Sequence, residues 1–71
     1  MDKPDIIKQL NSRIEQNRRR LNSHRLTAGT KKKIYSETMA MNTAVEELNN
    51  NQHYWIVNGF LCTHRVKVKL L

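Results

Sequence analysis

The densest chemistry in this sequence lies in two runs of three cations, Arg18-Arg19-Arg20 and Lys31-Lys32-Lys33. Arg13 and Arg25 extend the first run, and Thr30 directly precedes the second. Guanidinium groups grip phosphate oxygens through paired N–H donors and ammonium groups act as point charges, so such a block suits a polyanion. Residues 1–35 carry ten basic and three acidic side chains (+7), whereas residues 36–71 carry three of each, so the formal net charge of +7 belongs to the first half. Evenly scattered lysines would serve solubility; a block directs a field at an anion. The plainer alternative is a solvated basic end.

Three weaker constellations follow. Tyr54, Arg65, Lys67 and Lys69 alternate in an extended pattern that puts an aromatic and three cations on one strand face. That is one way to grip nucleic acid, and also an ordinary way to keep a sheet edge from aggregating. His53, Cys62 and His64 have the side chains of metal ligands, but a structural zinc site needs a fourth, so no metal or other cofactor is expected. Cys62 with His64 lacks an acidic orienting residue and oxyanion donors, so no catalytic residue is assigned and the chain reads as a non-enzyme. Tyr35 and Met39 stand one helical turn apart, opposite the apolar stripe of their segment, and form a candidate partner patch.

The elements that position these residues follow from periodicity. Ile7, Leu10, Ile14 and Leu21, with Ile6 beside them, recur at helical spacing, and Asn17 interrupts the stripe. With Asp2 as cap and Pro4 and Asp5 in the first turn, this predicts a helix from about residue 3 to 24. Gly29 is the expected left-handed break and Thr30 the expected cap of a second helix over about 31–50. That helix carries Ile34, Thr38, Met41, Val45 and Leu48 and ends at Asn49-Asn50-Asn51. Lys31 to Lys33 then fall in its first turn, where cations oppose the dipole and a bound phosphate would relieve the conflict.

From Gln52 the period changes to that of a strand. Asn58-Gly59 is a strong signal for a type I′ hairpin turn, predicting a β-hairpin over about 52–70 in which Val57 pairs with Phe60, Trp55 with Cys62 and His53 with His64. Trp55, Val57, Phe60, Cys62, Val66, Val68 and Leu70 are expected to face the core. The fold class is therefore α+β: a single small domain over 1–71, an antiparallel helical hairpin packed on a C-terminal β-hairpin in the order α-α-β-β. Because the return strand outruns its partner, residues 66–70 are expected to pair with a second copy, making a homodimer.

Composition narrows the classes further. With 71 residues the chain supports a thin core, and no apolar run approaches membrane-spanning length. The stretch Met1-Asp2-Lys3-Pro4-Asp5 lacks the apolar run of a secretory signal, and one cysteine cannot form an internal disulfide, so a reducing, cytoplasmic compartment is expected. The strand–Asn58-Gly59–strand unit with its basic return strand resembles the wing of small excisionase-type DNA binders. The helix-turn-helix that precedes that wing has no counterpart here, so the resemblance transfers no function. Eight asparagines fit a phage, other viral or mobile-element protein. The expected function is non-enzymatic nucleic-acid binding through phosphate contacts from the basic helical tip. The alternative is a small inhibitor or adaptor that docks on an acidic protein surface.

Overall fold

The structure, a computed structural model, describes residues 2–70. Two helices, α1 (Lys3–Leu21) and α2 (Ala28–Asn49), are followed by three short strands, β1 (Trp55–Val57), β2 (Phe60–Cys62) and β3 (Lys67–Lys69). The fold is α+β, with the helices on one face of an antiparallel sheet ordered β1-β2-β3.

Each helix takes its boundaries from local chemistry. Asp2 occupies the N-cap position of α1 with extended backbone but its side chain makes no capping hydrogen bond, and Asp5 and the terminal Arg18 to Arg20 both complement the helix dipole. The helix stops at Leu21, three residues earlier than its sequence suggests, as Ser23 N–H closes on Arg20 O at 3.0 Å. Thr27, not Thr30, caps α2: its hydroxyl oxygen accepts from Thr30 N–H at 3.2 Å, and its hydrogen goes to Thr30 Oγ1. Gly29 therefore lies inside the first turn of α2 and is not a left-handed break; among the described glycines only Gly59 has positive φ. At the far end the asparagine run is a stop signal. Asn51 adopts φ 58°, its N–H donates to Leu48 O, and Gln52 N–H donates to Glu47 O, the paired closure of a Schellman motif with asparagine in glycine's usual place.

Where the helices face each other, Ile6, Leu10 and Ile14 of α1 meet Met41, Ala44 and Leu48 of α2, and Leu61 and Val68 of the sheet close the core. Asn17 does not break the α1 stripe; it continues it. The side chain is buried and its Nδ2 donates to Thr38 Oγ1 at 3.1 Å and to Glu37 Oε1 at 3.4 Å, while Thr38 passes its own proton to Ile34 O. Both polar residues are thus satisfied inside the helix–helix seam.

Two expectations for the hairpin are corrected. The register of β1 on β2 is as predicted: Trp55 opposite Cys62 and Val57 opposite Phe60. The return strand, however, does not run on to Leu70. Thr63 folds it back, with Oγ1 accepting from the N–H groups of Arg65 and Val66 and its own N–H donating to Val66 O. β3 then pairs with β2, Phe60 opposite Lys69 and Leu61 opposite Val68. The segment expected to await a second copy is already paired in its own chain.

The sheet also buries the face opposite to the expected one. Leu61 and Val68 point to the helices, whereas Trp55 and Val57 are exposed and Phe60 is half-buried on the other face. Of the predicted core-face residues, Val68 is fully in place, Cys62 is nearly covered, and Val66 and Leu70 pack at the core's margin.

Candidate anion-binding tip

Because α1 and α2 are antiparallel, the C-terminus of one meets the N-terminus of the other, and the linker 22–27 caps that end of the molecule. The sheet packs toward the opposite end, where Lys3 Nζ reaches Asn51 Oδ1 at 2.8 Å. The molecule measures 38 × 21 × 18 Å, an elongated body with the linker at one end of the helix pair.

Between residues 18 and 33 there are seven lysines and arginines and no aspartate or glutamate. Arg18, Arg19, Arg20, Arg25, Lys32 and Lys33 are exposed, and Lys31 is half-buried. Of these only Arg19 has an acidic neighbour among the described salt bridges, Glu15 one turn away at 3.7 Å, both well solvated. Four of the six carboxylates, Asp2, Asp5, Glu46 and Glu47, belong to the other ends of the two helices. The charge is therefore polarised along the long axis, which orients the tip toward an anion during encounter.

Lys31 to Lys33 occupy the second turn of α2, one turn deeper than expected. Lys31 N–H is already bonded to Thr27 O at 3.0 Å, so the conflict with the dipole is milder. Thr30 is half-buried, and its N–H and hydroxyl are both engaged by Thr27, which makes it part of the cap. In the linker, Arg25 N–H donates to Ser23 Oγ at 3.3 Å, which holds the Arg25 backbone in a turn and leaves its side chain exposed.

Arg13 stands apart from the tip. Its Nη1 donates to Lys69 O at 2.6 Å, its Nη2 lies 3.7 Å from Glu37 Oε1, and the side chain is 14% exposed. It ties α1 to α2 and to the outer edge of β3. Arg65 is similarly engaged: it lies 3.7 Å from the nearly buried Glu47 carboxylate and fastens the β2–β3 turn to α2.

The expected Tyr54, Arg65, Lys67, Lys69 face is not assembled. Tyr54 packs against the core and Arg65 meets Glu47, whereas Lys67 and Lys69 lie on the face of Trp55, Val57 and Phe60. Rings gather there: His53, Trp55 and His64 have centroids 5.4 to 6.2 Å apart, and Lys67 Nζ lies 4.6 Å above the Phe60 ring. Sequence reading missed this face because it turned Trp55 inward. Tyr35 and Met39 are 60% and 66% exposed on α2, one turn apart as expected. Among the described residues no helix is long and apolar enough to cross a membrane. No protein-family model, curated protein or solved structure matches this chain.

Proposed function

We propose that this chain is a non-enzymatic nucleic-acid-binding protein whose helical tip, carrying Arg18, Arg19, Arg20, Arg25 and Lys31 to Lys33, contacts phosphates. The observation that supports it best is the charge arrangement: seven cations at one end of an elongated body, with Glu15 beside Arg19 their only acidic partner among the described salt bridges. The tip has no groove-entering recognition helix with a free set of Asn and Arg side chains, so the binding is sequence-tolerant. A cytoplasmic setting accompanies the single free thiol of Cys62.

The test is binding of random single-stranded and duplex oligonucleotides by fluorescence anisotropy at low salt. Replacing Arg18, Arg19 and Arg20 together by Gln strongly weakens binding and leaves helicity by circular dichroism unchanged, because exposed charges contribute little stability. Parent-like binding by that variant removes the tip from the proposal. Absence of any oligonucleotide binding by the parent favours the second reading, an adaptor on an acidic protein surface.

Homodimerisation now has one open sheet edge. The outer edge of β3 carries Lys67 and Lys69 and is closed by Arg13, whereas β1 is exposed and uncharged along its whole length. Light scattering decides it: a mass of two chains supports pairing through β1, and a mass of one chain across micromolar concentrations removes it.

A further inference from the structure

The outer sheet face presents chemistry that the phosphate-binding tip does not use. Pairing across the three strands sets its residues in rows: Trp55, Cys62 and Lys67 in one, Val57, Phe60 and Lys69 in the next. His53 and His64 extend it beyond Trp55, with ring centroids 5.4 and 5.5 Å from the indole. None of these residues is acidic, and the helices cover only the opposite face. Trp55 is the only tryptophan in the chain, yet it stays 37% exposed while Leu and Ile side chains fill the core. Lys67, lying over Phe60, keeps a cation at the surface of the same face, and two strand spacings put the Trp55 and Lys67 backbones about 10 Å apart.

We infer that this face is a stacking platform for unpaired bases, so that the nucleic acid bound is single-stranded. Flat aromatic rings take a base of any identity on their π-face, and the ammonium groups of Lys67 and Lys69 take phosphates along the β3 side of the face. Bases inside a duplex are already stacked on both sides and cannot lie on Trp55, so the platform discriminates strandedness and not sequence. Charge and ring chemistry together favour this occupant: Lys67 and Lys69 attract an anion, and a nucleic-acid strand carries a flat base beside every phosphate. The inference deepens the phosphate-binding reading and rests on it for the rest of the affinity.

The single tryptophan provides the readout. The full chain is titrated with an unlabelled mixed-sequence single strand and with the matching duplex, following Trp55 emission, and anisotropy of labelled strands measures total binding in parallel. The expected result is quenching by the single strand but not by the duplex. Trp55→Leu lowers single-strand affinity about tenfold and leaves duplex affinity unchanged, while Trp55→Phe recovers most of the loss. The indole is partly exposed and outside the core, so both variants fold; circular dichroism checks that. Strong binding of both nucleic acids with unchanged Trp55 emission, or parent-like single-strand binding by Trp55→Leu, overturns the platform and leaves the tip standing. Quenching at parent-like strand concentrations after neutralisation of Arg18 to Arg20 overturns the tip and supports the platform. No binding of either strand type at low salt overturns both.

Discussion

Replacing Arg13 by Ala separates structural cations from binding ones. Arg13 belongs by sequence to the basic block, but its guanidinium is 14% exposed and donates to Lys69 O at 2.6 Å. A hydrogen bond from a charged donor to a carbonyl is worth about 1.5–3 kcal/mol. The Glu37 carboxylate is 51% exposed, so the ion pair at 3.7 Å adds less than about 1 kcal/mol after solvent screening. The loss is then about 2 kcal/mol, which in a domain of this size lowers Tm by about 10 °C. In a double-mutant cycle Glu37→Gln recovers only the ion-pair share, a coupling under about 1 kcal/mol. Oligonucleotide affinity, measured well below the new Tm, falls by no more than a single distant charge explains. A parent-like Tm together with lost binding would refute the reasoning and return Arg13 to the binding surface.

Asn17→Ala, which leaves Thr38 Oγ1 without its donor in the seam, costs about 1–2 kcal/mol by urea denaturation; no change in midpoint would mean the seam is wet. Gly29→Ala raises stability by about 0.5–1 kcal/mol, because Gly29 is helical and a Cβ there meets nothing within 4 Å. A drop in Tm would instead restore the left-handed break. Asn51→Ala loses about 1 kcal/mol and Asn51→Gly loses little or gains, since φ at this residue is 58°; equal melting curves would remove the Schellman stop. Deleting residues 68–71 unfolds the chain, because Val68 is 4% exposed in the core; a folded product would mean β3 is dispensable.

The helical hairpin was legible because its periodicity is physical. Ile34, Thr38, Met41 and Leu48 are buried as their spacing requires, and Asn58-Gly59 sets the β1–β2 register through two positive φ angles. Errors arose where a side chain supplied a turn without glycine or proline. Thr63-His64-Arg65-Val66 contains neither, and the alternation of Val66 to Lys69 reads as a continued strand. The hydroxyl of Thr63 makes the bend, which moves Lys67 and Lys69 onto the face of Cys62. The inversion of the sheet had a different cause: Ile56 and Leu61 are as apolar as Val57 and Phe60, so hydrophobicity alone does not choose between the faces. Asn17 and Thr38 did carry a usable signal. Both stand on buried stripes of facing helices, where two polar groups are expected to satisfy each other. Arg13 carried none, since its partner is a backbone carbonyl 56 residues away.

The dependence of single-strand affinity on salt tests the phosphate-binding tip most directly. If Arg18, Arg20, Arg25 and Lys31 to Lys33 each neutralise one phosphate, counterion release at the tip contributes about −4 to the slope of log K against log salt, and removing the three arginines reduces its magnitude by about 2. Anisotropy titrations over roughly 50 to 300 mM salt measure both slopes. A steep parent slope that flattens in the Arg18, Arg20, Arg25→Gln variant is the result the account predicts. A shallow parent slope, or one the arginine substitutions leave unchanged, would contradict it.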